Sequence, residues 1–157
     1  MSTVAEHRRP ERIAVGIDGS LSAHAAVRWA VDHARPGDTI TLTHVWQPSP
    51  SNIDDGPERA DEEMAARSFV GHELARIQAL PRDDNVVIEA DVMPGDARTC
   101  LCLVEVDLLV IGAGGHGLLG GVLLGSVSSY LAGHSPVPLV IVPMPGQRRG
   151  ERPATDK

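Results

Sequence analysis

VDLLVIGAGGHGLLGGVLLGSVSSY, residues 106–130, decides the fold. Val106 to Ile111 is apolar apart from Asp107, as a strand covered on both faces of a parallel sheet requires. Gly112 to Ser126 then holds seven glycines in fifteen residues, and Ser126 can open a helix running to about Gly133. A glycine-rich turn from a buried strand into a helix lets backbone N–H groups approach an anion with no side chain between. The helix N-terminus adds partial positive charge. The stretch therefore points to a phosphate-bearing ligand. A tight structural turn is the alternative reading, and Ser126 as a helix cap needs no ligand at all.

Working outward, apolar strands alternate with helical segments. Ile13–Ile17 is a short strand ending at Asp18-Gly19-Ser20, and Ser20 or Ser22 can cap a helix to Ala34 whose Ala23, Ala26, Val27, Ala30 and Val31 share one face. Thr39–Trp46 is the second strand, followed by a polar, proline-containing loop, Gln47–Pro57, expected to be mobile. A helix over Glu58–Leu80 has Met64, Phe69, Val70, Leu74 and Ile77 as its apolar residues. Asn85–Val92 is the third strand, Asp96 caps a helix to Glu105, Asp107–Ile111 is the fourth strand and Pro138–Val142 the fifth. The alternation predicts an open, mostly parallel α/β sheet in one domain over residues 12–144, with a flexible leader over 1–11 and a disordered tail over 145–157.

Composition narrows the function. Trp29, Trp46, Phe69 and Tyr130 are the only aromatics, so the core must be aliphatic, and the two tryptophans are core or rim residues rather than stacking platforms. A net charge of −7 opposes sequence-independent binding to nucleic acid. The basic clusters His7–Arg12 and Arg148–Arg152 each contain a carboxylate and read as solvated termini. Lys157 is the only lysine, which argues against chemistry that needs one beside phosphates. No apolar stretch reaches the roughly 20 residues of a membrane span, and the N-terminus is polar, so no membrane association and a cytoplasmic location are expected. Cys100 and Cys102, two apart, point to different sides of a helix and read as buried or half-buried structural thiols.

The spacing from Gly112 is G-x2-G-x9-G-S, with Gly115 second and Gly125-Ser126 last. It lacks the Gly-Lys-Ser/Thr of a Walker A loop. Gly112, Gly114 and Gly117 match G-x-G-x-x-G but without the acid that should follow about 20 residues later. The histidines show no metal-ligand spacing: His116 reads as a loop residue and His44 as packing or satisfied locally. Asp18 is either a turn residue or a helper for Mg²⁺ or Mn²⁺ carried in on phosphates. No lysine, base and arginine set for phosphoryl transfer is recognisable. Amides that grip ground and transition states alike bind without accelerating, so little or no catalysis is expected.

With IAVGIDGSLSAHAAVRWA near the start, TLTHVWQP after the second strand and VMPGDARTCL before the third helix, the glycine segment through to Pro143 closely resembles the universal stress protein family in its single-domain, nucleotide-binding form. The resemblance implies a Rossmann-like five-stranded parallel sheet with helices on both faces, in the order 3-2-1-4-5, and a homodimer through Pro138–Val142. It also implies ATP as ligand, with Asp18 by the ribose and phosphates or a metal, and the Val45 backbone at the adenine edge. Gly112 and Gly115 would face the ribose and phosphates, and Gly125 with Ser126 would hold the phosphates. Ile17, Gly19, Ala113, Gly114, Val127 and Ser128 are neighbours of that set. His116 stands where many relatives carry a basic residue, and Gly95-Asp96-Ala97-Arg98 lacks the usual helix-starting proline. The first departure leaves AMP and cyclic AMP open beside ATP. The expected function is an adenine-nucleotide-binding stress-response regulator engaging an unknown protein partner. The alternatives are a slow metal-dependent ATP hydrolase, a cyclic AMP binder, or a dimerisation module that uses no nucleotide.

Overall fold

β1 (Arg12–Gly16) sits at the centre because Ile13, Ala14 and Val15 leave no polar side chain to face water on either side. The computed structural model describes residues 8–50, 57–114 and 124–144. β2 (Thr39–Trp46) coincides with its predicted span, and β4 (Leu108–Gly112) and β5 (Leu139–Val142) lie within a residue of theirs. The order is β3-β2-β1-β4-β5, every pairing parallel, as the resemblance implied.

β3 (Val87–Pro94) runs two residues later than the predicted Asn85–Val92. Asn85 and Val86 belong instead to a turn, with the Asn85 N–H donating to the Asp83 carboxylate at 2.8 Å. Pro94 closes the strand opposite Trp46, which an edge strand tolerates. Asp107, expected to begin the fourth strand, acts as a clamp: its carboxylate accepts the Arg12 N–H at 2.9 Å and pairs with Arg9 at 2.6 Å. The Glu11 N–H likewise donates to Asp38 at 2.8 Å, so residues 8–11, expected within the leader, are tied to the sheet.

Helices α1 (Leu21–His33) and α2 (Pro57–Gln78) cover one face of the sheet, and α3 (Ala97–Leu103) and α4 (Ser126–His134) the other. Ser20, not Ser22, caps α1, accepting the Ala23 N–H at 3.1 Å. The alanine and valine face of α1 is fully buried, as predicted. On α2 the buried positions are Ala66, Val70 and Ile77, whereas Met64 is 65% exposed. Six residues before Val70, Met64 lies about 120° round a 3.6-residue helix from the buried stripe. Asp96 caps α3 through the N–H groups of Arg98 and Thr99, and α3 ends two residues before the expected Glu105. Both cysteines are half-buried and free; the Cys100 thiol contacts the Pro94 carbonyl at 3.7 Å and that of Cys102 the His134 carbonyl at 3.6 Å.

Candidate functional site

Connections leave β1 and β4, adjacent in the sheet, to opposite faces, and a crevice opens at their carboxyl ends. A cleft of about 230 Å³ lies there. Of the predicted residues, Ile17, Asp18, Val45, Gly112, Gly125, Ser126, Val127 and Ser128 line it, together with Gly114. Ala113 is buried outside the lining, and Gly19, at φ +80°, faces Phe69. Gly115 and His116 lie outside the described residues.

Two glycines have identifiable local reasons. A Cβ on Gly112 would fall 2.5 Å from the Ser22 carbonyl carbon, so the end of β4 meets the first turn of α1 backbone to side. Gly114 has φ +72°, which turns the chain away from the strand, and its α-carbon region lies against Gly125. The two ends of the glycine segment are joined by one carbonyl. Ala113 O accepts the Gly125 N–H at 2.7 Å and the Ser128 hydroxyl at 2.6 Å. The Ser128 hydroxyl, at 2% exposure, thus serves the frame of the site rather than facing a ligand.

This lock fixes the start of α4 at the cleft. Gly125, not Ser126, is its N-cap, and no side chain caps it. The first N–H with an acceptor in its own helix is that of Ser129, on Gly125 O at 2.9 Å. Among the described residues the amides of Ser126, Val127 and Ser128 have no acceptor, and they lie at the positive end of the helix dipole. α1 differs, because Ser20 already caps it.

Across the cleft, the chain leaving β1 is held on β2. The Ile17 N–H donates to Thr43 O at 2.9 Å, and His44 Nδ1–H donates back to Ile17 O at 2.9 Å. The local satisfaction expected for His44 is this bond, with its ring tilted against Phe69 at 4.7 Å. One oxygen of Asp18 accepts the Ser20 N–H at 2.9 Å, so the turn role is real and the second oxygen remains. Gly16, Ser20, Ser22, Thr43, Ala97 and Leu101 also line the cleft and were not anticipated. Thr43 was within reach of the alternation rule, being two residues before Val45 on the same strand face. Ala97 and Leu101 depend on which helix crosses over the sheet.

The cleft is short of cations. No Lys or Arg occurs between Arg98 and Arg148, a span that includes β4, the glycine segment, α4 and β5. Among the described residues the lining carries no basic side chain and one carboxylate, Asp18. Among them, too, no group of three or more His, Cys, Asp and Glu is placed to hold a metal. The second oxygen of Asp18 is of the ligand type that an ion carried in on phosphates takes.

Residues 10–143 match the model of the Universal stress protein family, and the chain belongs to that family. A universal stress protein of Mycolicibacterium smegmatis is 33% identical over 138 residues, covering 83% of this chain and 47% of that protein. The chain thus spans about half the length of that relative. A universal stress protein solved in complex with cAMP superposes with a TM-score of 0.63 at 25% identity, covering 85% of this chain and 97% of its own. An Arabidopsis thaliana family protein with AMP bound gives 0.58 at 21%, covering 94% and 100%.

Proposed function

We propose that this chain binds an adenine nucleotide in the cleft between β1 and β4 and acts as a regulatory homodimer in the cytoplasm, with little or no catalysis. The observation that carries the reading is the start of α4. Its first-turn amides, its glycine cap and the Ala113 lock together make an anion-binding end at the crevice. The ligands of the AMP- and cAMP-bound family members support the same assignment.

Charge sets the expected preference. A helix terminus contributes roughly half an elementary charge, and no basic side chain supplements it in the described lining. AMP and cyclic AMP are favoured over free ATP, and ATP binds when Mg²⁺ or Mn²⁺ accompanies it beside Asp18. β5 supplies the dimer edge. Its Leu-Val-Ile-Val run has no charge to discourage strand pairing, whereas the opposite edge, β3, carries Glu89, Asp91 and Pro94.

Mass spectrometry of the ligand released from freshly purified protein, with thermal shifts in AMP, cyclic AMP and ATP with and without Mg²⁺, tests the proposal. A released adenine nucleotide and stabilisation near 2.7 kcal/mol at about 100 times Kd are expected. No released nucleotide and no shift at millimolar ligand would leave the nucleotide-free dimerisation module. The hydrolase reading rests on the free oxygen of Asp18; metal-dependent turnover that survives purification and disappears in Asp18→Ala would favour it.

A further inference from the structure

We propose that the Thr43 hydroxyl recognises the base of the bound nucleotide, an inference that rests on the nucleotide reading above. Thr43 is 2% exposed yet lines the cleft. Among the described residues its Oγ1 has one partner, the Thr41 carbonyl at 3.5 Å, well beyond the 2.7–2.8 Å usual for a hydroxyl donor. A buried hydroxyl is thereby left with donor and acceptor capacity that nothing well placed uses. The other buried hydroxyls of the lining differ. Ser128 is committed to Ala113 O at 2.6 Å, and Ser22 Oγ lies 3.1 Å from Ser20 Oγ.

The surroundings of Thr43 have the form of a base slot. Gly16 is its register partner on β1, so no side chain stands beside it on that strand. Ile111 Cγ2 and Leu101 Cδ1 stand 3.2 Å and 3.4 Å from where a Cβ on Gly16 would be, so both apolar side chains pack on the bare glycine and present the rest of their surface to the cleft they line. Val45 extends the wall toward the rim on Thr43's own strand. Apolar walls with one convergent polar group orient a flat ring. The anion-binding end at Gly125 and Ser126 lies beyond β1, across β4, so a nucleotide laid over the strand ends puts its base on the β2 side. A threonine hydroxyl rotates to donate to a purine ring nitrogen or to accept from an exocyclic amine.

A buried hydroxyl without a good partner also weakens the empty protein, so removing it has opposite effects on affinity and stability. The experiment compares wild type, Thr43→Val and Thr43→Ser by calorimetry with AMP and by melting without ligand. Thr43→Val, which keeps the shape, should bind AMP roughly three- to tenfold more weakly while its ligand-free Tm stays level or rises. Thr43→Ser, which keeps the hydroxyl, should bind within about twofold of wild type. Wild-type affinity in Thr43→Val overturns the assignment. So does a Tm that falls in step with affinity, since that marks a packing defect. Absence of AMP binding in the wild type overturns the nucleotide reading itself, and this inference with it.

Discussion

Ser22 and Gly112 meet at the floor of the cleft, where a Cβ on Gly112 would lie 2.5 Å from the Ser22 carbonyl carbon and 2.7 Å from its oxygen. The glycine therefore has a packing duty that exists before any ligand arrives. β4 and α1 are brought together closely enough for their ends to border one crevice, and the helix backbone has nowhere to retreat.

Gly112→Ala should accordingly lose about 1–3 kcal/mol of stability, the usual cost of overpacking against backbone. Gly71→Ala, in the interior of α2 with nothing within 4 Å of the new carbon, should gain about 0.5–1 kcal/mol. Urea unfolding of the two variants checks the pair. Equal effects would mean that the Ser22 contact does not constrain β4.

Ser128→Ala removes the hydroxyl that donates to Ala113 O at 2.6 Å. The expected loss is about 1–2 kcal/mol by chemical denaturation. Nucleotide affinity should fall with it, because the lock sets the position of the α4 amides. Calorimetry with AMP at a temperature where the variant is fully folded separates the two effects, and an undiminished affinity would remove the lock from the binding account.

Acid stability should depend on Asp107. The Arg12 N–H, and after it the Arg9 and Arg12 guanidinium groups, hold its carboxyl below the ordinary value of 3.8. A folded pKa that is depressed contributes stability above the unfolded value and loses it as pH falls through the lowered one. Tm should therefore be insensitive to this group near neutrality and fall below pH 3.8. In Asp107→Asn that part of the acid limb should be shallower, and an unchanged limb in a Tm series from pH 7 to 3 would contradict it. Asp96, lowered by the Arg98 guanidinium, adds to the same limb and is unaffected by the substitution.

The outer edge of β5 is testable without disturbing the inner one. Pro138 O accepts from Leu109 on β4 and Val142 O from Ala113 just after it, so by parallel-strand alternation the Leu139 and Ile141 amides point outward. Ile141→Pro removes one outward donor and leaves the β4 ladder in place. Light scattering should show a dimer in the wild type and a dissociation constant about tenfold or more weaker in the variant. A variant that remains folded by circular dichroism and equally dimeric would exclude this edge.

Runs of aliphatic residues made the elements legible. Ile13–Val15 and Leu108–Ile111 have no polar side chains to satisfy, Thr39–Trp46 alternates threonines with Ile40 and Leu42, and their boundaries fell within a residue or so. Strand order came from resemblance, since no local pattern states which strands are neighbours. Boundaries failed where a polar residue had a tertiary task, as with Asp107 and its two arginines. At the site, glycines and the helix start were visible because backbone geometry constrains them locally. Ser20 was missed as a lining residue because its exposure to the cleft depends on the placement of α1, whereas Thr43 was legible by counting two residues back from Val45 along its strand.

The central claim is that the first amides of α4 hold the phosphate while the end of β2 meets the base. Titration of ¹⁵N-labelled protein with AMP, followed by amide chemical shifts, tests it most directly. The account predicts saturable shifts largest at Ser126, Val127 and Val45, with Asn85 and Leu103 at the far side of the sheet and the end of α3 unmoved. Saturable shifts that leave Ser126 and Val127 untouched, or none at millimolar AMP, would contradict it.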